Sequence, residues 1–340
     1  MSSSYDQEMN EAQTAWRCRH VRTRNQGFQG KYRRPWILPG EHWEEALWPG
    51  IRSDSGHSLK AYVKENDIRM HPGVNNLKSS WMQCANLYFP HRRDPRLLAD
   101  FLAGHVEDRI VHVCRLELEW AEKHPLDPAT LLGEPQGSRG ANQTSPDIAF
   151  FVELKGGGQG LVLTENKFTE HSFYPCSGRK KEHSNPDPRR CLDTGLVIDD
   201  PATHCHLLNW ETEGRLNRRY WDYIQISSVG RNRLRQCPAA IAGYQLFRQQ
   251  ALAEALARSG KYDLVVSCVA YDERNDTLIG SMKNAGIRDF REDWRNLFDG
   301  EARFASFSHQ SWVRWIRENN VDAQWSDWLE WVVERYDFAK

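Results

Sequence analysis

Ser145-Pro146-Asp147-Ile148-Ala149-Phe150-Phe151-Val152-Glu153-Leu154 leads through a glycine-rich link into Leu161-Val162-Leu163-Thr164-Glu165-Asn166-Lys167. Branched and aromatic residues make Ile148 to Leu154 a strand. Gly156, Gly157, Gly158 and Gly160 form a turn, where positive φ costs glycine nothing. The glycine run ends in neither the Gly-Lys-Ser/Thr of a phosphate loop nor a Gly-x-Gly-x-x-Gly pattern, and Leu161 opens a strand rather than a helix. The two strands therefore form a hairpin, with the start of the first beside the end of the second. Period-2 geometry puts Glu165 and Lys167 on one side of their strand. Asp147, 18 residues before Glu165, is expected to meet both in space. Two carboxylates and an ammonium at one sheet edge suit a divalent cation with a cationic helper.

Pro146-Asp147 followed by Glu165-Asn166-Lys167 on a hairpin resembles the signature of the PD-(D/E)xK nuclease superfamily. The lead-in Arg139-Gly140-Ala141-Asn142, the Thr169-Glu170 pair after the lysine and the stretch from Ser79 to Pro90 are similar to a little-characterised restriction-endonuclease-like family within it. The resemblance covers roughly residues 75 to 275. It implies an α/β fold, a restriction-endonuclease-like α/β/α core with a mixed sheet, carrying helical additions at both ends. It also implies a metal-dependent nuclease. Asp147 and Glu165 would hold Mg²⁺ (or Mn²⁺), and Lys167 would orient or help deprotonate a water. Arg139 would approach a substrate phosphate, and Asn142 would fix its loop. The implied partner is nucleic acid, DNA before RNA, in defence, restriction or repair. Symmetric cleavage of a duplex would call for a homodimer. The alternatives are a catalytically silent nucleic-acid-binding protein on the same fold, and a metal or redox sensor built on the cysteines.

The 340 residues carry a formal net charge of −1, so no global field draws the chain to nucleic acid and any contact surface must be a local basic patch. No apolar run is long enough to span a membrane, and the polar start Met1 to Glu8 is unlike a signal peptide, so a cytoplasmic protein is expected. Its eight cysteines are then buried, metal-bound or redox-active rather than paired.

Three regions follow. Residues 1–55 read as a polar extension in which Arg17, Arg19, Arg22, Arg24, Lys31, Arg33 and Arg34 interleave with aromatics, either a nucleic-acid arm or a solvated leader. Residues 56–290 hold the nuclease-like domain. In it Ser79 to Leu87 reads as a capped helix, and Pro95 to Lys123 as a long amphipathic one, with Glu107 on its solvated side. Residues 168–238 read as an irregular insertion containing Cys176, Cys191, Cys205 and Cys237: a zinc site, an iron–sulfur cluster or free buried thiols. Cys84, Cys114 and Cys268 read as small core residues. A helix begins at Arg215 to Trp221, and its arginines with Arg231, Arg233 and Arg235 are candidates for holding a nucleic-acid backbone. Ala239 to Ala257 is a helix followed by the buried strand Tyr262 to Ala270, the order an α/β/α core needs. Gln245 and Gln249 on that helix lack the tyrosine of a Gln-x-x-x-Tyr element and are left out of the site. Residues 291–340 form a tryptophan-rich helical part whose rings pack into the core.

Overall fold

The computed structural model describes residues 4–179, 187, 189–208, 218–320 and 323–338. Its centre is a five-stranded mixed sheet of β1 (Ile110–Leu118), β2 (Ile148–Leu154), β3 (Gln159–Lys167), β4 (Leu264–Tyr271) and β5 (Arg303–Ser308), in that spatial order. The β1–β2 and β2–β3 pairs are antiparallel, whereas β3–β4 and β4–β5 are parallel. The β2–β3 pair is joined by a tight turn, and the parallel pairs by long crossovers. The glycine turn of the β2–β3 hairpin has Gly156, Gly157 and Gly158 at φ of 82°, 89° and 104°, conformations closed to most side chains.

Side chains alternate across the sheet. Ile148, Phe150, Val152 and Leu154 face one core, with Val162 and Val266; Ala149, Phe151, Leu161, Leu163 and Val265 face the other. The first core is closed by α1 (Ser4–His20), α2 (Ser80–Tyr88), α3 (Arg96–His105), α5 (His309–Asn319) and α6 (Ser326–Tyr336). The second is closed by α4 (Tyr244–Arg258) and the segments around it. A sheet covered on both faces is the expected three-layer, restriction-endonuclease-like α/β arrangement.

Several expectations change. The long helix from Pro95 to Lys123 is instead α3, a turn and β1. The cause is visible in β1: bulges interrupt its pairing between Ile110 and His112 and between Val113 and Arg115, so Ile110, Val113 and Leu116 are buried at three-residue spacing. That spacing imitates one face of a helix. Glu107 accordingly sits in the α3–β1 turn, not on a solvated helix face. It is buried and paired with Arg109 at 2.9 Å and with Arg303. Cys84 and Cys268 are core residues as expected, but Cys114 lies on the exposed side of β1.

Residues 4–20 form no free leader. α1 buries Tyr5, Met9 and Trp16 in the core that also holds Trp312, Trp328 and Tyr336. Arg17 is turned inward, donating to the carbonyl of Pro35 at 2.7 Å. Only the small hairpin Gly27–Gln29 and Tyr32–Arg34 keeps an arm-like character, with Phe28 and Tyr32 exposed beside Lys31, Arg33 and Arg34. The tryptophans of the C-terminal part pack as core. The expected helix at Arg215 starts outside the described residues, which show only the turn Tyr220–Tyr223. The following helix opens with a wide turn over Ala239–Gly243 before α4 proper.

Candidate active site

β2 begins at Ile148, paired with Thr164 of β3 and with Leu118 of β1. One step further along the same registers, Glu119, Asp147 and Glu165 line up across three adjacent strand ends. Neighbouring positions in such a row stand about 5 Å apart. The backbone holds the row together: Glu119 N–H donates to the Asp147 carbonyl at 3.0 Å, and Asn166 N–H donates to Asp147 Oδ2 at 2.7 Å. Asn166 turns to the opposite face, where its side-chain amide donates to the Ser80 carbonyl at 2.9 Å and to Gln83 Oε1 at 3.2 Å. This anchors the Glu-x-Lys strand to α2, whose start is capped by Ser79.

Lys167, 3% exposed, lies on the Glu165 side of β3, as the alternation requires. Its Nζ donates to Glu165 Oε1 at 2.7 Å and to Gln245 Oε1 on α4 at 3.0 Å. Its carbonyl faces His309 Nε2 at 3.0 Å. Glu170 accepts the Phe168 N–H at 2.8 Å and adds its charge to the same neighbourhood.

The electrostatics follow from crowding carboxylates out of water. Burial raises the Asp147 carboxyl well above the usual range, and Glu165 beside it raises it further. Glu119 is raised in the same way, by burial first and then by Asp147 and Glu165. Burial opposes the Lys167 ammonium, but Glu165, Glu170 and Asp147 overrule it and raise its pKa, so the lysine stays charged. Such a row is electrostatically incomplete: it binds protons, or it binds a cation. Among the described residues no three His, Cys, Asp or Glu side chains are already arranged to hold a metal ion. The donor set is nevertheless the oxygen-rich kind that a hard dication takes.

Asp147, Glu165 and Lys167 are thus brought together as the hairpin required. Arg139 is not at their side. Its Nε donates to the Glu119 carbonyl (3.2 Å) and Nη2 to the Leu118 carbonyl (2.6 Å) and Tyr62 Oη (3.3 Å). Nη1 donates to Asn66 Oδ1 (3.4 Å) and pairs with Glu117 (3.1 Å). The guanidinium bonds to the protein itself and clamps the end of β1. Asn142 is exposed at φ 64° in the loop after Gly140, a backbone state that asparagine tolerates. Glu119 and Gln245 are the two members that sequence reasoning misses. The bulges hide the strand that Glu119 follows, and Gln245 matches only a fragment of another subfamily's motif.

The four insertion cysteines also converge: Cys176, Cys191, Cys205 and Cys237 line one small cavity between α4 and the preceding loops. The insertion arginines are mostly engaged with acids or carbonyls. Arg219 pairs with Asp222 at 2.8 Å, Arg231 with Asp199 at 2.6 Å and Arg233 with Asp293, and Arg218 donates to the Gly133 carbonyl at 2.6 Å. Arg215 lies outside the described residues. Among the described residues no helix is long and apolar enough to cross a membrane.

A mixed sheet covered on both faces, with an acidic row and a lysine at its strand ends, defines the restriction-endonuclease-like class. The chain belongs to the REase-ARP family, described as Restriction Endonuclease associating with ARP, whose model matches residues 10–336. That description points to a nuclease. No curated protein and no solved structure matches the chain.

Proposed function

We propose that this protein is a metal-dependent nuclease of the PD-(D/E)xK type that hydrolyses phosphodiester bonds in DNA. The observation that carries the reading is the acidic row Glu119–Asp147–Glu165 with Lys167 hydrogen-bonded at its end. Asp147 and Glu165 would hold Mg²⁺ or Mn²⁺, with Glu119 as a third carboxylate on the same edge. A dication there supplies polarisation of the phosphodiester, an acidified water and stabilisation of the leaving oxygen. Asp147 is fixed by the Asn166 N–H, which keeps one of its oxygens turned to the strand end and leaves the other for a ligand. Lys167, held charged between Glu165 and Gln245, offsets the charge that develops on the phosphate and orients the attacking water. Arg139 keeps Glu119 in place through the carbonyls of residues 118 and 119. The exposed Phe28 and Tyr32, with Lys31, Arg33 and Arg34 around them, suit a nucleic-acid backbone and its bases.

The test is cleavage of single- and double-stranded DNA and RNA by the purified chain with Mg²⁺ or Mn²⁺. Wild type should cut DNA, and Asp147→Asn and Lys167→Ala should lose cleavage, with circular dichroism unchanged in Asp147→Asn. Equal cutting by both variants and wild type would overturn the assignment.

A further inference from the structure

No member of the acidic row lines the cysteine cavity, and the proposed hydrolysis does not use it. Its four thiols come from four separate segments. Cys176 precedes a short turn, Cys191 lies in the turn Arg190–Leu192, Cys205 ends the short helix Pro201–His204, and Cys237 precedes Pro238. Backbone contacts tie these segments to one another. Cys237 N–H donates to the Cys191 carbonyl at 3.4 Å, and Cys176 N–H to the Ala239 carbonyl at 2.9 Å.

A backbone N–H also points at one of these sulfurs. Gly178 N–H donates to Cys176 Sγ at 3.3 Å, two residues on in the chain. A neutral thiol is a weak acceptor and gains little from such donors, whereas a thiolate gains much. The Gly178 N–H would therefore stabilise Cys176 as a thiolate. In the apolar cavity that charge is otherwise unfavourable: burial raises the Cys176 thiol to about 12, with Cys205 adding to the effect. A thiophilic dication reverses that balance, because thiolates are the ligand form.

We infer that Cys176, Cys191, Cys205 and Cys237 bind one structural zinc ion in a four-thiolate site that staples the insertion to α4. Four sulfurs and no open position are the composition of a structural rather than a catalytic zinc site. Among the described residues no three of these sulfurs already share a ligating centre, so binding closes the cavity by rotation of the thiols. A crosslink across four segments of the insertion adds to the packing of Phe173, Val197, Leu207 and Tyr220 in the second core.

The full chain, purified without chelator, should contain one zinc per molecule by elemental analysis and be colourless. Cobalt exchanged into it should give the intense visible bands and thiolate charge-transfer absorption of a tetrahedral four-sulfur site. Cys237→Ser should lose the metal, while Cys268→Ser, in the other core, should keep it. Lys167→Ala should also keep it, which separates this site from the fate of the nuclease reading. Wild-type chain that holds no zinc and gives no cobalt spectrum overturns the proposal, even if Cys237→Ser fails to fold. So does a brown chain with bound iron, or one with the four sulfurs paired as disulfides.

Discussion

Lys167 is held by two partners of opposite kind: a carboxylate that fixes its charge and an amide that fixes its direction. Glu165 at 2.7 Å does the first, and Gln245, arriving from α4 at 3.0 Å, does the second. Replacing Gln245 with leucine keeps the volume and removes the acceptor. The ammonium then stays charged but is free to swing. The expected result is a fall in kcat of about 10- to 100-fold, the usual cost of removing an outer partner of a site residue. KM should change little and the melting temperature should stay close to wild type. A variant that instead loses stability and keeps its kcat would give Gln245 a packing role only. At this scale the hairpin motif is legible in the sequence, because strand propensity, the glycine turn and period-2 alternation are all local. Gln245 is not, since nothing near it in the chain says which strand its helix crosses.

At the scale of elements, β1 determines how far the acidic row extends. Its pairing with β2 runs to Leu118, and Glu119, the next residue, takes a left-handed φ of 48°. That backbone state is uncommon for a glutamate and needs support from outside the strand. Arg139 provides it, with every nitrogen of its fork engaged on residues 117 to 119, Tyr62 and Asn66. Arg139→Lys keeps the charge but cannot reproduce a planar fork. We expect a loss of about 1.5–3 kcal/mol in urea unfolding, the range for charged hydrogen bonds. Weaker metal-dependent cleavage should accompany it as Glu119 loses its setting. Unchanged unfolding in the lysine variant would show that the fork does not matter.

At the scale of the molecule, the two chain ends complete one core. Arg335 of α6 is buried, stacks over Trp16 of α1 at 4.3 Å and bonds to the Gln13 side chain and the Leu77 carbonyl. In the same core, His91 is fully buried in a cage of Trp312, Trp325 and Trp328, with ring centroids at 4.9, 4.0 and 4.8 Å. Burial lowers its pKa to about 3, so the folded protein holds it neutral. The unfolded chain, with an ordinary histidine pKa near ~6.5, binds that proton more readily. The unfolded state therefore binds more protons between those two values, and stability falls as pH drops from roughly 6.5 towards 3. Above that window the contribution is fully present. His91→Phe should flatten this part of the pH–stability curve while leaving neutral-pH stability comparable, as measured by denaturant midpoints at each pH. An unaltered acid slope in the variant would assign the effect to other groups.

The sequence by itself determined the hairpin, the Asp147–Glu165–Lys167 grouping, the capped α2, the helix–strand order after the insertion and the burial of the C-terminal tryptophans. Each is written in short-range signals: alternation, turn glycines, an N-cap, helical spacing. Tertiary structure alone decided that Ile110 to Leu118 is a bulged strand, because its three-residue spacing satisfies a helix equally well and only pairing with β2 breaks the tie. It also decided that Glu119 and Gln245 reach the site, that Arg139 turns inward, and that four cysteines spread over 62 residues face one cavity. These follow from register and from packing across the sheet, which bring together residues that no local pattern connects.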